Sequence, residues 1–185
     1  MASIFSSRDD DLWNDAYLDT WHRDWMTHAL AFRDVADFVV DAVNDQTLSA
    51  DAVVFPVAFC YRHYLELMLK GLRIEASRLL GLTRPTVKSL LEHDLVKLWR
   101  PLRRLLEQID PGESAQYDGV EKRIMDVNHI DPTGQSWKYP FDTQEKRTLS
   151  GVGPFSLPKL KELVGDLGKF LDGTYDYIGS IRDEG

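Results

Sequence analysis

The stretch "FCYRHYLELMLK", residues 59–70, is strongly apolar yet carries Arg62, His63, Glu66 and Lys70. At helical spacing Arg62, Glu66, Lys70 and Arg73 step along one stripe at i, i+4, i+8 and i+11, with His63 beside it. The remaining circumference holds Phe59, Tyr64, Leu65, Leu67, Met68, Leu69 and Leu72. A helix apolar nearly all round is central in its domain. Its polar stripe therefore reads in one of two ways. It is a salt-bridged line on a half-exposed helix, with Glu66 pairing to Arg62 and Lys70, or it faces a cleft or an interface.

Outward from this helix, periodicity predicts further helices and no strand-rich region. Trp13, Tyr17, Trp21 and Trp25 recur every four residues, followed by Leu30, Phe32, Val35, Phe38 and Val39, so residues 10–46 read as one long helix or two in series. The central helix is expected over 49–80, capped by Ser49 or Asp51; with Pro56 it either starts near Phe55 or kinks there. A third helix is expected from about Ser89 to Ile109, with a bend or break at Pro101, and a shorter fourth over 115–130. Residues 131–156, with Pro132, Gly134, Pro140, Gly151, Gly153 and Pro154, predict a long irregular loop containing one short extended piece, "SWKYPFD". A last helix follows over 157–182, with Ser156 as its N-cap. The fold class is all-α, an antiparallel bundle of four to five helices in one domain. Its parts are a Trp-rich N-terminal helix (1–48), central helices (49–130), the loop (131–156) and the C-terminal helix (157–182).

Composition narrows the function. The apolar and charged fractions, 43% and 28%, are those of a globular protein. No uninterrupted apolar run approaches the roughly 20 residues of a membrane span. The opening "MASIFSSRDDDLW" has no basic segment followed by an apolar one, so no signal peptide is expected. With Cys60 as the single cysteine, no internal disulfide forms, and a cytoplasmic location is expected. The net charge of −8 argues against broad wrapping of nucleic acid but not against a small RNA-directed site. Local positive charge lies in "KLWRPLRRLL" (97–106) and "EKR" (121–123).

Three sets of residues carry potential chemistry. The stripe on the central helix is the first. In "EHDL" (92–95), Asp94 can answer a helix dipole and His93 can serve as a proton donor or acceptor. In "RIMDVNH", Arg123 and His129 stand six residues apart, about 120° off one face of a straight helix. They meet only if the helix ends or bends between them. Such a pair cleaves RNA without metal if the His moves the 2′-hydroxyl proton and the Arg stabilises charge on the phosphate. No metal-ligand set, phosphate-cradling glycine loop, serine nucleophile elbow or cofactor motif is legible.

In order along the chain, "FPVAFCYRHYLELMLKGL", "HDLVKLW" and "DPTGQSWKYPFD" resemble a bacterial branch of the HEPN superfamily (higher eukaryotes and prokaryotes nucleotide-binding) over about residues 50–145. That branch has an "RH-x-x-EL-x-LK" helix, a later "HDL" and a downstream "RYP", which here is "KYP" with Lys138 and Tyr139. The resemblance implies an all-α bundle that forms a symmetric homodimer through its central helices. It implies metal-independent endoribonucleases acting as toxins or in phage defence, often beside a nucleotidyltransferase-type antitoxin. Their Arg, four to six residues, His motif carries over to Arg123 and His129, although Ile124 stands where a polar residue is usual. Arg62, His63, Glu66, Lys70, His93, Asp94, Lys138 and Tyr139 are then expected to support the cleft or dimer seam. Other relatives lack the motif and bind a nucleotide or a partner protein. A third possibility is a helical adaptor working through its Trp-rich N-terminal helix.

Overall fold

A computed structural model describes residues 24–184 of the chain. Trp13, Tyr17 and Trp21 of the aromatic ladder lie outside the described residues. The helices are α1 (Trp25–Asn44), α2 (Ala50–Leu79), α3 (Val87–Leu90), α4 (Leu95–Ile109), α5 (Ser114–Ile130) and α6 (Leu157–Glu184). Among the described residues there is no strand, only an isolated antiparallel bridge between Phe141 and Arg147. The all-α expectation is correct.

The central role read for residues 59–70 is also correct. α2 packs against α1, α4 and α6. Tyr61, Tyr64, Leu65, Met68, Leu69 and Leu72 are each at most 1% exposed and belong to one continuous apolar cluster. By length and composition α2 would cross a bilayer, although its apolar runs are interrupted by charge. Sixteen of its residues are buried against the other helices, as expected of a bundle's core helix.

Contacts fix the directions of the helices. Tyr61 donates to Asp37 at 2.6 Å, and Arg33 to the Tyr64 hydroxyl at 3.3 Å, so α1 and α2 run antiparallel across a short connection. Arg103 meets Glu121 and Tyr117 meets Leu106, which makes α4 and α5 antiparallel too. α6 runs antiparallel to α1, with Arg33 on Asp172 and Lys161 on Asp41, and parallel to α2, with Asp172 beside Tyr64 and Arg182 beside Glu75. The connection 131–156 begins and ends at one end of the bundle, with Asp131 on Arg62 and Phe155 against Trp137, which meets Phe55.

α2 starts at Ala50, directly after Ser49, as the 49–80 reading expects, and does not start near Phe55; it runs through Pro56, whose missing N–H falls near the exposed start of the helix. Two other elements differ from their sequence reading. The expected third helix is split. Thr86 caps the single turn α3. Asp94 caps α4 by accepting from the backbone N–H of Val96 and Lys97 at 2.9 and 3.0 Å, and α4 continues through Pro101. The extended piece expected in "SWKYPFD" is instead a turn at its start, with Lys138 and Tyr139 N–H groups both donating to the Gln135 carbonyl. Ser156 does cap α6, through Lys159 N–H at 3.4 Å.

Candidate functional site

The charged stripe of α2 is buried. Arg62, Glu66 and Lys70 are 3%, 3% and 5% exposed, so the half-exposed salt-bridged line does not describe them. Glu66 Oε2 accepts from Arg62 Nη1 at 3.0 Å, and Oε1 accepts from Lys70 Nζ at 2.7 Å. Burial raises the Glu66 carboxyl, but the hydrogen bond and charge of Lys70, with the charges of His93 and Arg62, outweigh it and hold the group below its ordinary value. Arg73 continues the stripe by donating to the Ser89 carbonyl at 3.2 Å.

Arg62 ties three segments together. Its Nε donates to the Asp131 carbonyl at 2.9 Å, its Nη2 donates to the His93 carbonyl, and its Nη1 reaches Glu66. The planar, multi-donor guanidinium suits this in a way an ammonium would not. Asp131 is fully buried, with Oδ1 accepting from Gln135 N–H and the Thr133 hydroxyl. Its Oδ2 has no hydrogen-bond partner among the described residues and lies 3.9 Å from Arg62 Nε. Gly134, at φ +72°, packs directly against the guanidinium. Asp131, Gly134 and Asn128 are the members of this network that sequence reasoning missed. The only signal for two of them was the "DPTG" turn after α5.

The same region joins the start of α4 to the end of α5. Asn128 Oδ1 accepts from Leu95 N–H at 2.9 Å and its Nδ2 donates to Asp94 Oδ1 at 3.3 Å. The His93 imidazole stands at this corner. Its Nδ1 is 2.9 Å from Glu66 Oε1, while the side chain is 49% exposed.

His63 sits elsewhere, in an aromatic nest. Its ring stacks on Phe59 at 5.4 Å and meets Phe32 edge-on at 4.5 Å, and Lys138 lies 5.1 Å above the Phe59 ring. Trp137 anchors the segment before it, buried between Phe55 and Phe155, whereas Tyr139 is exposed. Burial pushes the His63 imidazole below its ordinary value; Lys138, Lys70 and His28 push the same way, against Glu66. The folded chain thus holds His63 neutral where the unfolded chain binds a proton. Stability is expected to fall as the pH drops below the ordinary imidazole value of about 6.5, and the loss persists at lower pH. Glu66, with its pKa depressed, contributes stability that is lost only as the pH falls further, through and below the usual carboxylate range. Urea midpoints measured from about pH 8 to about pH 5 check the first window. His63→Phe should flatten that slope, and a slope unchanged in this variant would assign it to another group.

Arg123 and His129 are both exposed on α5. α5 does not end between them: it runs unbroken from Ser114 to Ile130. The convergence that required a helix end is therefore not met within one chain. The two stay about 120° apart around the helix and about 9 Å apart along it. Arg123 makes one long bond to the Gly119 carbonyl, 3.4 Å. The positive charge of residues 97–106 divides in two. Arg103 is spent on Glu107, Asp118 and Glu121 at 2.8, 2.7 and 2.6 Å. Lys97, Arg100 and Arg104 are exposed along the outer side of α4; Lys97 pairs with Glu92 at 3.5 Å, and Arg100 and Arg104 have no ion-pair partner among the described residues.

Comparison of the chain with protein-family models, curated proteins and solved structures finds no match.

Proposed function

We propose that the chain is a HEPN-like toxin or phage-defence effector that cleaves RNA in the cytoplasm without a metal ion, using His129 as acid/base and Arg123 to stabilise the phosphate. The observation that carries this reading is the exposed cationic line Lys97, Arg100 and Arg104. In a chain of net charge −8 it begins at the corner where the start of α4 meets the end of α5, where Leu95 N–H bonds Asn128, the residue before His129. Exposed cations on an acidic protein, Arg100 and Arg104 without an ion-pair partner among the described residues, attract a polyanion locally without general nucleic-acid affinity. One strand laid along α4 reaches that corner. Because Arg123 and His129 point away from each other on α5, they serve one phosphate only when two copies pair. This agrees with the symmetric homodimer that the resemblance implies, and a nucleotidyltransferase-type antitoxin is the partner expected to restrain it.

Purified protein incubated with labelled RNA in EDTA is expected to release fragments, and His129→Ala to slow release by roughly 10²- to 10⁴-fold. No cleavage by the unmodified chain, or cleavage unchanged in His129→Ala, overturns the reading. Binding adds an independent check. The double substitution Arg100→Gln/Arg104→Gln is expected to reduce the slope of log affinity against log salt by about 1.4, the share of two single-strand phosphate contacts.

One observation favours a second reading. Arg62, Glu66 and Lys70 are spent on internal ties, as in a module that binds a nucleotide or a partner and catalyses nothing. Expression that is harmless to cells, with Arg123→Ala indistinguishable from the unmodified chain, favours it.

A further inference from the structure

We infer that His93 is a second proton-transfer residue of this site, with Glu66 as the positioning residue that holds it; the inference rests on the RNA-cleavage reading above. The sequence separates His93 from His129 by most of α4 and α5, but the fold returns them to one corner. A single guanidinium, that of Arg62, bonds the backbone carbonyls of both His93 and Asp131. Asn128, adjacent to His129, bonds the backbone of Leu95 and the carboxylate of Asp94, adjacent to His93.

The His93 ring has the form of an oriented base. The Glu66 carboxylate can only accept, so at 2.9 Å the Nδ1 atom carries the shared proton. That sets the tautomer and leaves the Nε2 lone pair available. Nε2 has no hydrogen-bond partner among the described residues, and the side chain is half-exposed. The Glu66 carboxylate is itself immobilised by Arg62 and Lys70. These two cations already balance the two buried carboxylates, Glu66 and Asp131.

Cleavage of RNA by its own 2′-hydroxyl needs proton transfers at two places, the attacking oxygen and the leaving oxygen, on opposite sides of phosphorus. His129 alone supplies one. With His93 present, neutral Nε2 takes the 2′-hydroxyl proton as O2′ bonds to phosphorus. The P–O5′ bond breaks, and protonated His129 gives its proton to O5′. The products are a 2′,3′-cyclic phosphate and a 5′-hydroxyl, with no water, metal or oxidant consumed.

The test uses the full chain with two substrates, an RNA oligonucleotide and uridine 3′-(4-nitrophenyl phosphate), whose leaving group needs no proton. His93→Gln keeps a donor for Glu66 and His93→Ala removes it; both are scored for unchanged urea midpoint and unchanged RNA binding. Both variants are expected to lose roughly 10²- to 10⁴-fold in cleavage of either substrate. Added imidazole should restore part of the His93→Ala rate, which a merely structural histidine would not allow. His129→Ala should lose RNA cleavage but retain cleavage of the aryl ester. Glu66→Gln should lower kcat with little change in KM and escape imidazole rescue. Full RNA cleavage by both His93 variants overturns the inference while leaving the RNA-cleavage reading intact. Recovery of the His93 variants on the aryl ester overturns the assignment as base. Absence of cleavage by the unmodified chain overturns the RNA-cleavage reading, and this inference with it.

Discussion

Arg62→Ala is expected to destabilise the fold by roughly 3–5 kcal/mol, the range for removing one partner of a buried charge network. The side chain is 3% exposed, and its loss takes away donors from three segments at once. Glu66 keeps Lys70 and His93. Asp131 keeps nothing comparable: its Oδ2 lacks a hydrogen bond already, and the guanidinium at 3.9 Å is its cation. A buried carboxylate without a cation, and two carbonyls without their donor, are left behind. Arg62→Lys retains the charge but not the fork, so its loss should fall between the unmodified chain and Arg62→Ala. Urea unfolding gives both values as a shift in midpoint at constant slope. A loss under about 1 kcal/mol for Arg62→Ala would mean that the surrounding groups find water instead, as they do in surface ion pairs.

Gly134→Ala should have the next largest effect on folding. Two costs add there. At φ +72° an L-residue pays left-handed strain of roughly 1–2 kcal/mol. A Cβ would also lie 2.6 Å from Arg62 Nη1 and 3.0 Å from its Cζ, so the guanidinium must move and its bonds with it. Gly81 separates the two terms. It has φ +64° but nothing within 4 Å of an added Cβ, so Gly81→Ala reports strain alone. Gly134→Ala is expected to exceed Gly81→Ala by roughly 1–3 kcal/mol. In an Arg62→Ala background that excess should vanish, because the atom it strikes is gone. Equal costs for the two glycines in the unmodified chain would show that the turn yields without disturbing Arg62.

The pattern in these predictions follows from what was readable in the chain and what was not. The "RHYLELMLK" periodicity identified a central helix correctly, since its apolar residues cover almost the whole circumference. It also identified Arg62, Glu66 and Lys70 as one stripe. It could not say that the stripe was buried, because the segments covering it, 91–94 and 131–135, are distant in sequence and irregular in structure. The "EHDL" segment reads as helix because its flanking leucines keep helical spacing. Asp94 instead turns back to bond Val96 and Lys97, a competition between side chain and backbone that periodicity does not register.

By itself the sequence determined the all-α class, the central helix, the caps at Ser156 and the irregular connection 131–156, since each depends on local spacing and local backbone chemistry. It also determined that Arg123 and His129 diverge on any straight helix. Tertiary structure alone decided that α5 continues unbroken to Ile130, that Arg62 draws residues 93 and 131 together, and that His93 leans on Glu66 where the start of α4 meets the end of α5. Those outcomes depend on which distant backbone carbonyls and carboxylates arrive beside a buried cation. A buried charge must be satisfied by whatever the fold brings to it, and spacing along one helix does not specify that partner.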